Sequence, residues 1–478
     1  MIGGLRKTSL YLLAGASALG MLAIGGTPAK AEANTEQLEA AIRAMQAQMK
    51  DLQRQVNEAK QAAATPKSGG GEDLDLKVKW KGAPELSSKD GKFKMKVRGR
   101  IMVDYDGIDQ DFPITGEEDV SAVELRRARI GVEGTVWYDW KYKAEVDFAG
   151  DASEIKDMYI AYANWAPWEK AEIIFGNFKV ANSLEEMTSS RFITFLERSA
   201  YIDAFELDRQ IGAGVWAGDE HWSFQIGYYG TTSGDQETWF VDNTAAAVRG
   251  TVAPINNDTT VVHLGASYRH RNSGTPRDFG DPDALFRYRA RPDLHLASRF
   301  INTDHIAEED DMFNLEGAVV WKSFSVQGEY SELEADPAIG IMAPVDPTYT
   351  GWYVEASVFL TGEMRNYEAD EGAFGRTKVK NPVFGGSGGW GAWQLAGRYD
   401  SLDLSSGAAL IPVCEQCGTQ EAWTIGLNWL LTDYTALKFN YVNAEIGGGN
   451  GGNPPGSGFN EDNGATIQGF AMRAQIDW

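Results

Sequence analysis

The sequence predicts an all-β chain, a 16-stranded antiparallel transmembrane β-barrel preceded by a short N-terminal coiled-coil helix. Three observations point to it. Between Lys92 and Trp478, segment after segment alternates apolar and polar residues with period two. Short turns alternate with long loops, the rhythm of a membrane barrel with its two unlike ends. The final segment alternates Phe470, Met472, Ala474 and Ile476 against Arg473, Gln475 and Asp477, and stops at the aromatic Trp478. An even strand count suits a single-chain barrel, and one of this size keeps a watery channel.

Each element follows in order along the chain. Arg6 and Lys7, the apolar stretch SLYLLAGASALGMLAIGG and the small-residue exit Ala29-Lys30-Ala31 form an export signal, residues 1–31. The polar segment behind it favours cleavage over a membrane anchor. Removing Arg6, Lys7 and Lys30 takes the formal charge from -24 to -27. Residues 32–64 carry a heptad seam at Leu38, Ile42, Met45, Met49, Leu52 and Val56, which predicts a periplasmic coiled-coil helix. At about two and a half heptads it is marginal alone, and one amphipathic helix lying on a larger body is the plainer alternative. Pro66, Ser68 and three glycines make residues 65–76 a linker. Residues 77–478 are the barrel domain.

Within the barrel, WKYKAEVDF sets Trp140, Tyr142, Ala144, Val146 and Phe148 against Lys141, Lys143, Glu145 and Asp147. EAWTIGLNWL, ALKFNYVN and WQLAGRYD alternate in the same way. A soluble sandwich shows this pattern too; Trp and Tyr near strand ends, the girdles of a membrane barrel, favour the barrel. Short turns are read at WYDWK, NWAPWEK, AGDEHW, VWKSFS and LLTDYT. Long loops are read at roughly 107–121, 179–208, 230–258, 334–349, 403–420 and 447–465, with two long inner connections at 271–284 and 362–388. The stretch KFKMKVRGR then has a place. Lys92, Lys94, Lys96, Arg98 and Arg100 turn into a channel, and Phe93, Met95 and Val97 turn outward. An edge strand using lysines against aggregation is the alternative.

Bulk composition narrows the function. A net charge of -24 argues against a nucleic-acid partner. After the signal, no run of 18 apolar residues offers a transmembrane helix. The two cysteines, Cys414 and Cys417, sit in CEQC followed by Gly418, which excludes haem attachment. A loop-closing disulfide is the favoured pairing, with a metal site or free thiols as alternatives. His221, His263, His270, His295 and His305 show no ligand spacing, so no metal and no cofactor is expected. GGGNGGNPPGSG lacks the strand-to-helix context of a phosphate cradle. Glu308–Glu309 and Asp310–Asp311 read as a solvated acidic rim rather than a glycosidase dyad.

At LRRARIGVEGTVWYDWKYKAEVDFA and GNFKVANSLEEMTSSRFITFLERS the sequence resembles the porin O and P family, the phosphate- and polyphosphate-selective porins. RYRARPDLHLASRFINTD, GGWGAWQLAGRYDSLDL and GLNWLLTDYTALKFNYV agree, so the resemblance covers nearly all of the chain after about residue 90. It implies a homotrimer of 16-stranded barrels in the lipid of a Gram-negative outer membrane. Each pore would be narrowed by an inward-folded third loop, with a helical segment on the periplasmic side. It also implies small anions such as phosphate as permeants. Arg126 and Arg127 match the family's motif near the narrow zone, Arg191 and Arg198 its third loop, and the basic first strand its periplasmic mouth.

Parity constrains these residues. Ile130, Val132 and Val136 set the apolar face to even numbers, so Arg127 and Arg129 point inward and Arg126 outward unless a bulge intervenes. Arg287, Arg289 and Arg291 form a short alternate run that ends at Pro292. With Lys141 and Lys143, these basic residues are the candidate pore lining. Arginine suits phosphate because its planar fork gives two parallel hydrogen bonds. Glu133, Glu145 and Asp147 share the inward faces, so a mixed-charge lumen stands beside an anion-preferring one. The reading is therefore a porin, not an enzyme. The alternative from another class is a secreted β-rich enzyme or carbohydrate-binding protein with a coiled-coil stalk.

Overall fold

A computed structural model describes residues 76–478 except 81, 111–118, 151, 167, 169, 231–242, 275–284, 339–345, 387, 407–415 and 449–462, together with Ala47, Lys50, Asp51 and Arg54. The chain divides into two compact units, residues 1–73 and 74–478. In the first unit the four described residues are helical, and Arg54 pairs with Asp51 at 2.5 Å. The heptad seam and the export signal lie outside the described residues, and nothing here supports the coiled coil.

The second unit opens with a hairpin, β1 (Leu76–Trp80) and β2 (Pro84–Ser88), and β2 pairs with the start of β3 (Lys94–Gln110). The wall continues through β4 (Val120–Val136), β5 (Trp140–Asp147), β6 (Glu154–Ala163) and β7 (Lys170–Lys179). Next come β8 (Arg209–Gly218), β9 (Trp222–Tyr229), β10 (Thr244–Asn256) and β11 (Thr260–Asn272). A short strand, β12 (Phe286–Ala290), pairs only with the upper part of β13 (Ile301–Trp321) and is not a wall strand. β14 (Phe324–Pro337) and β15 (Thr348–Phe359) precede a small separate hairpin, β16 (Tyr367–Glu368) and β17 (Ala373–Phe374). β18 (Ala392–Asp403), β19 (Thr419–Thr432), β20 (Thr435–Gly447) and β21 (Thr466–Asp477) complete the wall. β21 runs antiparallel to β3, from Ile467 opposite Gln110 to Asp477 opposite Arg100, and closes the ring. Sixteen of the described strands form this closed antiparallel barrel.

Period two puts one face of each strand outside. That face carries Ile101, Leu125, Ile130, Phe175, Leu315 and Ile425, all exposed, as a lipid-facing wall requires. Aromatic rings crowd both rims. At the short-turn end Trp165 meets Trp168 at 6.1 Å and Trp393 meets Trp429 at 4.9 Å; at the long-loop end Tyr399 meets Trp352 at 5.3 Å and Trp423 at 4.6 Å. Trp478 exchanges backbone hydrogen bonds with Gly99 and seals the seam.

Two predicted connections and the predicted acidic rim are corrected. Residues 230–258 are not one loop, because β10 occupies 244–256 and turns at 257–259. The connection after β11, placed on the short-turn side by sequence, leaves from the long-loop end and returns there at β13. Glu309, Asp310 and Asp311 belong to β13 rather than to a loop; Asp310 is buried and bonds Arg271 and Tyr288. The long inner connection predicted near 362–388 is present at 360–391 and carries β16 and β17.

Candidate functional site

Two bulges shape the inner wall. Met102 of β3 faces Arg127 and Val103 faces Leu125, so Arg126 has no cross-strand partner. The extra residue reverses the parity of β4, and Arg126 and Arg127 both line the lumen. On strict alternation Arg126 would have faced lipid. A second bulge lets Glu145 of β5 face both Lys156 and Asp157, and those two are also buried on the inner side.

The loop between β7 and β8, residues 180–208, folds into the barrel with two short helices, α1 (Leu184–Met187) and α2 (Ala200–Ala204). Its Leu184, Phe195, Leu196 and Phe205 are buried. Inward polar side chains of the far wall hold its backbone. Lys438 donates to the Ile193 carbonyl at 2.6 Å, Asn428 to Thr194 at 2.8 Å, Arg473 to Leu196 at 2.7 Å and Arg398 to Glu197 at 3.0 Å. Glu329 of β14 accepts from Leu184 N–H at 2.9 Å and Glu185 N–H at 2.8 Å. Tyr201 and Phe205 pack with Tyr288, Leu294 and Phe300 of the connection before β13 and with Tyr349, Tyr353 and Leu402 of the wall. This fills the β13–β21 side of the lumen. From the short-turn end, the β16–β17 hairpin reaches the same loop, where Phe374 N–H donates to Thr188 Oγ1 at 3.2 Å.

A cavity of about 1190 Å³ remains on the β3–β8 side. Its lining counts seventeen Lys and Arg against twelve Asp and Glu, the reverse of the chain's acidic balance. Of the candidates named from the sequence, Arg98, Arg100, Arg126, Arg127, Arg129, Lys141, Lys143, Arg191, Arg198, Arg289 and Arg291 border it. Lys92, Lys94, Lys96 and Arg287 do not; the three lysines lie toward the short-turn end, and Arg287 sits on β12 opposite His305. Lys156, Lys170, Lys179, Arg209, Arg271 and Arg299 border it and were missed. Arg271 could have been found, since SYRHRN alternates Ser267, Arg269 and Arg271 on one face.

Most of these cations are engaged. Arg100 and Arg129 share Glu145, at 3.3 and 3.4 Å, and Arg129 also holds Asp147 at 2.6 Å. Arg126 grips Glu197 through two bonds of 2.9 and 2.8 Å, and Arg473 joins that carboxylate at 2.8 Å. Burial disfavours the Glu197 carboxylate, but Arg126, Arg127 and Arg473 outweigh it and hold its carboxyl well below the usual range. Arg127, Arg289 and Arg291 differ. Among the described residues no carboxylate forms an ion pair with them, and the buried Nε of Arg127 and of Arg291 has no hydrogen-bond partner. Away from the cavity, Cys417 is buried and disulfide-bonded, while Cys414 lies outside the described residues.

Residues 95–447 match the family model of phosphate-selective porins O and P. An uncharacterized protein of Caulobacter vibrioides is 31% identical over 390 residues, 80% of this chain and 74% of its own length. Porin O of Pseudomonas aeruginosa is 26% identical over 420 residues, 80% of this chain and 91% of its own. An anion-selective porin from Comamonas acidovorans superposes with a TM-score of 0.49 at 11% identity, covering 81% of this chain and 100% of that one.

Proposed function

The chain belongs to the family of phosphate-selective porins O and P, channel proteins of the Gram-negative outer membrane, and we propose that its lumen conducts small anions, phosphate among them. The observation that carries the proposal is Arg127, a buried guanidinium that borders the cavity and forms no ion pair among the described residues, while Glu197, the carboxylate whose field it shares, is already held by Arg126 and Arg473. Arg289 and Arg291 support it from the connection before β13. For an anion about 5 Å away at an effective dielectric near 20, one such charge contributes about 3 kcal/mol. That is roughly two orders of magnitude in local occupancy. The protein acts as a channel and not as an enzyme, and needs no cofactor. We take it to work as a homotrimer in outer-membrane lipid, each barrel with its own pore, with the N-terminal segment on the periplasmic side.

In this reading Arg127 sets ion preference in the narrow zone. Lys92, Lys94 and Lys96 supply anions at the short-turn mouth, which in such barrels is periplasmic. Arg129 has a different task, since it is spent on Glu145 and Asp147. The test is the reversal potential in a salt gradient. R127Q should lower the anion-to-cation ratio at both low and high salt, because a charge in a narrow low-dielectric pore is poorly screened. K92Q/K94Q should lower it only at low salt, because a mouth charge is screened within about 8 Å at physiological ionic strength. An unmodified pore that prefers cations would sink the anion assignment and leave only the porin.

A further inference from the structure

Aromatic rings line the cavity where β6, β7 and β8 face it. Tyr159, Phe178 and Trp216 all border it. Phe178 is the hub: Tyr159 meets it edge-on at 6.3 Å between ring centroids, and Trp216 edge-on at 5.9 Å. Tyr229 backs it at 5.3 Å. Glycines in the wall leave room for Phe178 and Tyr229. A Cβ on Gly214 would stand 3.3 Å from the Phe178 ring, and one on Gly227 would stand 2.5 Å from Tyr229 Cζ. Phe178 and Tyr229 are buried, whereas Tyr159 and Trp216 keep part of their surface toward the cavity. This cluster is separate from the core that seats the inward loop. The indole N–H of Trp216 is buried and has no acceptor among the described residues.

Charge around the rings is balanced. Lys170 lies 6.0 Å from the Trp216 ring centroid and pairs with Glu371. Lys143, opposite Tyr159 in register, holds Asp157 at 2.6 Å, and Glu172, opposite Trp216, pairs with Lys141. The unpaired guanidinia of Arg127, Arg289 and Arg291 border the same cavity from other elements. A simple inorganic anion needs only the guanidinia. A ligand with a flat apolar body and an acidic group would use both, because stacked and edge-on rings favour an aromatic partner beyond its buried area.

We propose that the cavity holds a subsite for planar aromatic anions, with the ring against Tyr159 and Trp216, which Phe178 backs, and the acidic group toward the arginines. The proposal rests on the anion reading above and narrows its permeant class.

The test uses the full-length protein in planar bilayers and compares block of the chloride current by phenyl phosphate and by methyl phosphate, which carry the same charge. Phenyl phosphate should block at about a tenfold lower concentration, which is about 1.4 kcal/mol. W216L and Y159L should each remove most of that difference while leaving block by methyl phosphate in place. Insertion of both variants is checked by their heat-labile migration on gels. Equal blocking concentrations in an unmodified, anion-preferring pore would overturn the subsite alone, as would a difference that survives in both variants. A cation-preferring pore would overturn the anion reading and this inference with it.

Discussion

Glu329 should decide how firmly the inward loop is held. Its carboxylate accepts five hydrogen bonds: Leu184 N–H at 2.9 Å, Glu185 N–H at 2.8 Å, Ser183 Oγ at 3.2 Å, Asn314 Nδ2 at 3.1 Å and Tyr353 OH at 2.8 Å. Three of the donors belong to the loop. Hydrogen bonds to a charged acceptor contribute about 1.5–3 kcal/mol each, so the three sum to roughly 4.5–9 kcal/mol before water replaces them. Water in a lumen recovers part. A remaining loss of about 3 kcal/mol still shifts the ratio of held to released loop by about 100-fold. Glu329→Ala should therefore give single channels with higher mean conductance and frequent steps between levels. Glu329→Gln should be intermediate, since it keeps one acceptor oxygen but turns an amide N–H toward donors. A Glu329→Ala channel with the unmodified conductance and a quiet open level, in a barrel still heat-labile on gels, would refute the anchoring argument.

The remaining expectations concern other segments. A depressed carboxyl such as that of Glu197 contributes stability above its unfolded value, and the contribution fades only as pH falls toward the folded value. The conductance difference between the unmodified channel and E197Q should therefore hold constant from pH 7 to about 5, above the ordinary Glu value of about 4.3; convergence at pH 5 would contradict it. Cys414 and Cys417 should label poorly with a thiol reagent before reduction and well after it, and replacing both with Ser should leave conductance nearly unchanged. Deleting residues 36–56 should leave a membrane-inserted trimer on native gels, because so short a seam is a weak oligomer contact; a monomer would give the segment a larger part.

The barrel was legible because its signal is repeated. Sixteen alternating segments vote on one pattern, and a single misread loop, such as 230–258, does not change the outcome. The bulge at Arg126 was legible only as a conflict: the parity of Ile130 and Val132 and the tandem arginines could not both be satisfied on a regular strand. What alternation could not say is which inward polar residue faces water. Lys438, Asn428, Arg398 and Arg473 have the inward parity of pore residues, yet they bind the backbone of residues 193–197. That depends on where a loop between 201 and 277 residues away comes to rest, and strand periodicity carries no record of it. The same blindness placed Arg287 with Arg289 and Arg291: their spacing is regular, but β12 pairs only with the extension of β13 and is not part of the wall.

The excess of basic residues around the cavity is therefore a poor guide to its field. Arg129 lies 2.6 Å from Asp147, and Arg398 lies 2.6 Å from Asp293; such pairs act as short dipoles, and their effect on a passing ion fades within a few ångströms. The first ties β4 to β5 and the second holds the connection before β13 against the wall, and removing one partner would strand a buried charge, which costs about 3–5 kcal/mol. A guanidinium outside any ion pair is cancelled less, so a few residues on separate elements can set the sign of the lumen while many others set its shape. The chain's acidity does not oppose this. Glu332, Glu334 and Asp336 of β14 lie exposed on the outer face near the long-loop end, with the barrel wall between them and the lumen. Beyond about 8 Å of salt solution such charges are screened. A chain of charge -24 can thus present a positive path to an anion, provided its carboxylates are either outside the wall or already held by an arginine.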